Sequence, residues 1–259
     1  MGLLETEEVE MEQVGYTQSH KVFYFQVDGN GIMTPTALIS DLQEVAINHS
    51  EFLGYSVNFL AEKKLGWVII NYHLDITRMP KFGEMISIQT WCVKCQKMQN
   101  IRCFYILDEN KEIIVKAMTR WVFMNLETRK PINIPEEMAQ CYRTDLPPSI
   151  DGEKFLMPRV VECVGTTNRL LVITRRDTDS NGHANNVKYL EWAMDDVSDE
   201  IYDTMQIKDI RIVYRKECVR GDEVTLKTHI HELDNAKEAV TFIMDQTKTI
   251  LAEVVTLWH

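Results

Sequence analysis

Hydrophobic and polar positions follow one another along the chain in two successive blocks of the same kind. In the first block an apolar stretch at 22–27 predicts a strand, and the polar turn 28–31 follows it. A helix is predicted next, because Thr34 or Thr36 can cap it, Pro35 suits its first turn, and apolar residues recur at helical spacing. Residues favoured in β-structure then predict four strands, at 67–76, 85–93, 101–107 and 113–124.

The second block repeats this order. A strand is predicted at 170–174, and the polar turn 177–182 follows it. One helical face is predicted from Asn185 or Asn186 onwards, with the apolar positions Val187, Leu190, Met194, Val197 and Ile201. Four strands complete the block, at 210–215, 224–230, 239–245 and 250–258.

Short segments of the two blocks also resemble each other residue by residue. Residues 28–32 align with 179–183, and residues 78–84 align with 216–222 in the same order. The two matches occur in the same order, within two blocks that have the same sequence of predicted elements. Together they indicate an internal duplication. The fold expected from it is α+β, with a long helix wrapped by a curved antiparallel sheet in each half, that is, a tandem or double hot-dog.

Four prolines, at 131, 135, 147 and 148, mark the connection between the halves. We therefore expect an N-terminal half at 1–140 with a degenerate, substrate-binding site, a linker at 141–158 and a catalytic C-terminal half at 159–259.

The balance of charges excludes some classes of function. A formal net charge of −11 argues against a general nucleic-acid binder, and part of it lies in an acidic leading segment, at Glu5, Glu7, Glu8, Glu10 and Glu12. The sequence shows no secretory signal, no transit peptide and no membrane-spanning run, so a cytoplasmic protein without a membrane partner is expected.

Two short cysteine and histidine pairs raise the possibility of a metal site. Cys92 and Cys95 have the spacing of half a zinc site, and His229 and His231 would share one face of a strand. Neither pair has an obvious further set of ligands, so buried or incidental side chains are the preferred interpretation. We expect no metal and no cofactor.

The polar turn of the second block carries the candidate chemistry. Asp179, Asn181 and His183 stand within five residues, directly before a predicted helix N-terminus. Backbone N–H groups there can hold an oxyanion, and an imidazole beside a carboxylate can activate water. The ordinary alternative is a polar turn with a surface histidine. The duplication favours chemistry, because the first half has Ile32 in place of His183 and Met79 in place of Glu217.

Two motifs in the second half resemble a known family. The run from Asp179 to Tyr189, with Trp192 after it, is similar to the signature of plant and bacterial fatty acyl-ACP thioesterases, and so is the run from Tyr214 to Cys218. The resemblance implies hydrolysis of the thioester between a fatty acyl chain and the phosphopantetheine arm of acyl carrier protein (ACP), the partner.

The resemblance implies a catalytic group made of Asp179, Asn181, His183 and Glu217. Glu217 and His183 would activate water and transfer protons, with the division of labour between them left open. Asn181 would orient water or substrate, and Asp179 would fix the local geometry and tune the imidazole. We expect Asn185 and Asn186 to contact substrate. The candidate docking residues for the acidic carrier are Arg175, Arg176, Arg211, Arg215, Lys216 and Arg220.

Several alternatives remain open from sequence. Cys218 with a histidine and an asparagine would form an acyl-enzyme, although a small buried residue is the preferred interpretation of Cys218. Glu217 would otherwise form a salt bridge to Arg215 or Arg220. An acyl-CoA thioesterase and an acyl-binding module without turnover are rival functions. Acyl chain length and self-association as a homodimer are not decided.

Overall fold

The computed structural model describes residues 15–142, 145–150, 166–179 and 182–259. The first half contains the long helix α1 (Pro35–Phe52) and the short helices α2 (Val57–Glu62) and α3 (Glu136–Tyr142). Its strands are β1 (Tyr16–Lys21), β2 (Leu65–Ile76), β3 (Met85–Gln96), β4 (Gln99–Leu107), β5 (Ile113–Asn125) and β6 (Lys130–Pro131).

The second half repeats the plan with two helices and five strands among its described residues. Its helices are α4 (Asn186–Met194) and α5 (Asp199–Thr204). Its strands are β7 (Thr166–Val172), β8 (Ile207–Tyr214), β9 (Glu223–Leu233), β10 (Ala236–Asp245) and β11 (Ile250–Trp258).

One continuous antiparallel sheet joins the two halves. Its strand order is β1-β3-β4-β5-β2-β8-β11-β10-β9-β7, and β6 pairs with β5. The junction is the pairing of β2 with β8, from Asn71 opposite Val213 to Asp75 opposite Asp209. A hydrogen bond between His73 Nε2 and Asp209 Oδ2, 2.9 Å long, crosses this junction. The expected α+β double hot-dog arrangement is therefore confirmed.

Helix α1 begins and packs as its sequence predicts. The Thr34 hydroxyl accepts a hydrogen bond from the Ala37 backbone N–H, and Pro35 occupies the first helical position. Leu38, Leu42 and Val45 are buried in a core cluster that also includes residues of α4. Because α1 and α4 also contact each other, the two halves share one hydrophobic core.

The strand predicted at 22–27 is wrong. The strand in this region is β1, and residues Tyr24–Gln26 form a single 3-10 turn. The side-chain oxygen of Gln26 accepts a hydrogen bond from the Phe23 backbone N–H at 2.9 Å, and its amide group donates to Asp41 at 2.8 Å. These local bonds hold the chain in a turn and override the preference of the aromatic residues for a strand.

The single long helix predicted from Asn185 or Asn186, with apolar positions up to Ile201, is also wrong, because helix α4 ends at Met194. The Ser198 hydroxyl caps a new helix, α5, by accepting a hydrogen bond from the Ile201 backbone N–H. Asp196 is engaged by Arg169 Nε at 2.6 Å. Aspartate and serine favour helix ends over helix interiors, so one apolar face is divided between two helices.

The predicted domain boundaries at 140 and 158 stay predictions, because residues 143–144 and 151–165 lie outside the described residues. The acidic leading segment, from Glu5 to Glu12, lies outside them too. Within the described ranges, no helix combines the length and the apolar character that crossing a membrane requires.

A buried histidine makes the stability of the fold sensitive to acid. Arg102 Nη1 donates to His49 Nδ1 at 2.7 Å, and both side chains are buried. Burial, and then the charge of Arg102, lower the pKa of His49 from 6.5 to about 3. The folded protein therefore keeps His49 neutral at a pH where the unfolded chain protonates it, so stability falls as pH drops below 6.5.

We expect His49→Gln to reduce this loss, because glutamine offers Arg102 an acceptor that does not titrate. Between pH 6.5 and about 4.5 the parent should lose roughly 2 kcal/mol of unfolding free energy more than the variant. Urea unfolding at a series of pH values measures the difference. Parallel pH dependence of the two proteins would contradict the assignment.

Candidate active site

The turn that carries the candidate chemistry is held by its own backbone and by Asp179. The Asp179 carboxylate accepts a hydrogen bond from the His183 backbone N–H at 3.2 Å, and the Asp179 N–H donates to the His183 carbonyl at 2.8 Å. Gly182 has a φ of 80°, in the left-handed region that glycine enters without a steric penalty. Asp179 thus fixes the geometry around His183, while Asn181 lies outside the described residues.

Backbone pairing brings the second motif against this turn. His183 forms an isolated antiparallel bridge with Val219, and the Ala184 N–H donates to the Cys218 carbonyl at 2.8 Å. His183 Nε2 and Glu217 Oε2 consequently lie 3.4 Å apart. Their side chains are 30% and 40% exposed, so the pair contacts both solvent and protein. Residues 34 positions apart in sequence therefore lie in contact, in an arrangement that is able to perform acid–base chemistry.

Helix α4 begins beside this pair. Asn185 is its N-cap, with a side-chain oxygen that accepts from the Val187 N–H at 3.0 Å. The carbonyl of Asn186 accepts a hydrogen bond from the Tyr214 hydroxyl at 2.9 Å. Both asparagines therefore have structural partners near the candidate site, and their contact with substrate stays a prediction.

The thiol of Cys218 is buried beside Tyr189. Cys218 is 1% exposed, and its sulfur lies 3.1 Å from the Tyr189 hydroxyl. Burial raises the pKa of the thiol, which disfavours the reactive thiolate. Glu217 is exposed while Cys218 is buried, as expected for adjacent residues of an extended chain.

The first half repeats the backbone of the site without its chemistry. The Asp28 carboxylate accepts from the Ile32 N–H at 3.0 Å, and Ile32 bridges Lys81 as His183 bridges Val219. The Met33 N–H donates to the Pro80 carbonyl at 2.9 Å, which matches the bond from Ala184 to Cys218. This correspondence follows the alignment of 28–32 with 179–183 and of 78–84 with 216–222.

Sequence reasoning did not identify one residue of the site, Arg129. It lies in the turn between β5 and β6 of the first half, and its guanidinium contacts Glu217 Oε1. Neither of the two motifs contains Arg129, and no spacing links it to Glu217, which lies 88 positions further along the chain. The proposed alternative of a salt bridge from Glu217 to Arg215 is wrong, since Arg215 pairs with Glu253 at 2.6 Å.

The candidate docking residues fall into two groups. Arg211 pairs with Asp209 at 2.8 Å, Arg215 with Glu253, and Lys216 with Asp245 at 3.3 Å. By contrast, Arg175, Arg176 and Arg220 are exposed, and none of the ion pairs within the described ranges involves them.

The residues considered for a metal site have other surroundings. Cys92 and Cys95 are buried in the protein interior, and His229 packs edge to face against Phe242 with ring centroids 6.1 Å apart. The part of the chain that the structure describes contains no group of three or more histidine, cysteine, aspartate or glutamate side chains able to hold a metal ion.

Two family profiles match most of the chain. The profile described as "Acyl-ACP thioesterase N-terminal domain" matches residues 13–142, and "Acyl-ACP thioesterase C-terminal domain" matches residues 165–259. Among solved structures, an acyl-ACP thioesterase from Bacteroides thetaiotaomicron superposes with a TM-score of 0.81 at 26% identity, covering 94% of this chain and 97% of that one. The 12:0-ACP thioesterase from Umbellularia californica has the same fold, with a TM-score of 0.81, 20% identity and coverage of 94% and 96%.

Curated plant proteins are similar over most of the chain. Oleoyl-acyl carrier protein thioesterase 1, chloroplastic, of Arabidopsis thaliana is 27% identical over 244 residues, which are 88% of this chain and 67% of the relative. Palmitoyl-acyl carrier protein thioesterase, chloroplastic, of Cuphea hookeriana is 28% identical over 216 residues, 79% of this chain and 52% of the relative. The chain thus spans between about half and two thirds of the length of these relatives.

Proposed function

The chain belongs to the acyl-ACP thioesterase family, and on that premise we propose that it hydrolyses the thioester of fatty acyl-ACP by attack of an activated water. The products are a free fatty acid and ACP with a free phosphopantetheine thiol, so the reaction ends or diverts fatty acid synthesis. The observation that carries the proposal is the 3.4 Å approach of His183 to Glu217 at the start of α4. The equivalent positions of the first half hold Ile32 and Met79, which leaves one acid–base pair in the duplicated fold.

In the proposed reaction the Glu217 carboxylate takes a proton from water, and the resulting hydroxide attacks the carbonyl carbon of the thioester. The tetrahedral intermediate collapses with cleavage of the carbon–sulfur bond, and the leaving thiolate receives a proton from the pair of Glu217 and His183. We assign stabilisation of the oxyanion to the backbone N–H of Asn186, because the N–H groups of Val187 and Lys188 in the first turn of α4 donate to Asn185. Asp179 holds the turn, and Asn181 is assigned to orienting water or substrate.

Release of free thiol from a series of acyl-ACP substrates tests the proposal. Turnover of acyl-ACP with little turnover of the same acyl groups on coenzyme A is the expected result. Preferential turnover of acyl-CoA would reassign the carrier. Tight acyl-ACP binding without thiol release would instead favour an acyl-binding module.

Replacement of Cys218 distinguishes water attack from an acyl-enzyme. We expect Cys218→Ala to keep kcat within about threefold of the parent, because the thiol is buried, protonated and hydrogen-bonded near Tyr189. Thiol release by the variant measures this, with circular dichroism as a check of folding. Loss of all turnover in a folded Cys218→Ala protein would establish the acyl-enzyme route.

We assign docking of the acidic carrier to the exposed Arg175, Arg176 and Arg220 rather than to the arginines that already have acidic partners. In the first half the corresponding residues Tyr24 and Phe82 lie edge to face, with ring centroids 5.8 Å apart. From the repeated backbone we expect Arg175 to lie near Arg220. In the first half the same backbone forms with Tyr24 and Phe82 at these positions. The positive charges of Arg175 and Arg220 are therefore not required to form the turn.

Charge reversal at this surface should weaken carrier binding. We expect Arg175→Glu combined with Arg220→Glu to raise KM for acyl-ACP about tenfold, and to leave kinetics on a short acyl N-acetylcysteamine thioester unchanged. A matched control reverses two exposed lysines elsewhere, Lys64→Glu with Lys248→Glu. Equal effects of the two double variants would show a response to net charge and refute local docking.

We further propose a cytoplasmic location and no nucleic-acid partner, and a homodimer stays an open alternative. The thiols of Cys92, Cys103 and Cys218 are buried and form no disulfide, which fits a reducing compartment. Cell fractionation tests the location, and light scattering tests the oligomeric state.

A further inference from the structure

The contact between Arg129 and Glu217 links the turn after β5 to the candidate base of the other half. We infer that Arg129 is a positioning residue, supplied by the first half, that orients the Glu217 carboxylate. The inference rests on the proposed function, because it assigns a role within the same site. It makes the active site a product of both halves.

The turn that presents Arg129 is fixed in place. The Asn125 side-chain oxygen accepts hydrogen bonds from the backbone N–H groups of Glu127 at 3.1 Å and Thr128 at 2.8 Å. The Leu126 N–H donates to the Lys64 carbonyl at 2.8 Å, and Asn125 pairs with Lys130 across the β5–β6 ladder. Arg129 therefore extends from a rigid support, and orienting another side chain requires such a support.

The two oxygens of Glu217 have different partners. Arg129 contacts Oε1, whereas His183 lies 3.4 Å from Oε2. A carboxylate held by a charged donor on one side has a defined orientation toward its other partner. A general base must be directed at the water that it deprotonates, and this contact supplies the direction.

Stability alone does not account for this pair. Arg129 is 63% exposed and Glu217 is 40% exposed, and ion pairs at such positions contribute little to folding. The cations nearest to Glu217 in sequence are engaged elsewhere, since Arg215 pairs with Glu253 and Lys216 with Asp245. Within the described ranges, the residues paired with Glu217 are Arg129 and His183, one from each half.

The test compares Arg129→Gln, Arg129→Lys and the adjacent control Lys130→Gln, which removes the same charge from an exposed residue. Kinetics are measured on acyl-ACP and on the matching acyl N-acetylcysteamine thioester. Arg129→Gln should lower kcat about 10- to 100-fold on both substrates with little change in KM. Arg129→Lys should recover part of the loss, and Lys130→Gln should behave as the parent.

Other results would overturn the inference. A raised KM for acyl-ACP alone, with kcat unchanged, would make Arg129 a carrier-binding residue, and parent-like kinetics of Arg129→Gln would remove any role. If the parent itself releases no thiol, the proposed function fails separately. The contact is then tested by thermal unfolding of Arg129→Gln, Glu217→Gln and the double variant, where additive shifts in Tm would contradict it and non-additive shifts would support it.

Discussion

Glu217→Gln should lower kcat/KM for acyl-ACP about 100- to 10,000-fold while leaving the fold intact. Glutamine has the size of glutamate, but it cannot accept the proton of the attacking water. It also removes the negative charge that Arg129 contacts and that lies 3.4 Å from His183. Because Glu217 is 40% exposed and outside the hydrophobic core, the free energy of unfolding should change by less than about 1 kcal/mol.

The measurement is thiol release under single-turnover conditions, so that chemistry is separated from product release. Glu232→Gln is a matched control, because Glu232 is an exposed glutamate of β9 that pairs with Lys237 at 3.4 Å. The control should retain parent activity. If Glu217→Gln keeps more than about a tenth of the parent rate, Glu217 is not the base.

His183→Ala is expected to lower kcat about 100- to 1,000-fold, with a smaller change in KM. The imidazole lies against the Glu217 carboxylate, and its loss removes the proton donor and acceptor beside the base. The turn should keep its structure in the variant, because Asp179 forms hydrogen bonds with the backbone N–H and carbonyl of residue 183 and these do not involve the imidazole. Steady-state kinetics with His231→Ala as the control histidine measure the effect.

A double variant shows whether His183 and Glu217 act together. When two groups serve one proton-transfer step, removing the second costs little after the first is lost. The double variant should therefore resemble the slower single variant. If the rate loss of the double variant equals the product of the two single losses, the residues act independently. The assignment of one acid–base pair would then have to be abandoned.

The duplicated plan was predictable because the spacing of turns and apolar residues repeats within the chain. The repeated turns at 28–32 and 179–183 make corresponding backbone hydrogen bonds, as the alignment implied. Secondary structure was mispredicted where side-chain hydrogen bonds outweigh periodicity. Gln26 closes a 3-10 turn within an aromatic run, and Ser198 begins a new helix within an apolar face.

The candidate site was predictable where its residues sit in motifs. The sequence indicated His183 and Glu217 from two motifs and from their absence in the first half. Their 3.4 Å separation was not predictable, because it depends on the pairing of His183 with Val219 between distant segments. The inaccessibility of Cys218 likewise follows from packing around it.

By itself the sequence determined the α+β duplicated fold and the two motifs that contain His183 and Glu217, because these depend on local periodicity and on internal comparison. The assignment of the chemistry to the second half stays a prediction. Only the tertiary structure decided that Arg129 of the first half reaches Glu217 of the second, and that Arg215 and Lys216 already have acidic partners. The contact of Arg129 depends on how strands β2 and β8 join the halves into one sheet, whereas the pair of Arg215 with Glu253 depends on the pairing of β8 with β11. The physical reason is that the partner of a side chain is set by distance in space. When the two residues are far apart in sequence, no local sequence pattern predicts their contact.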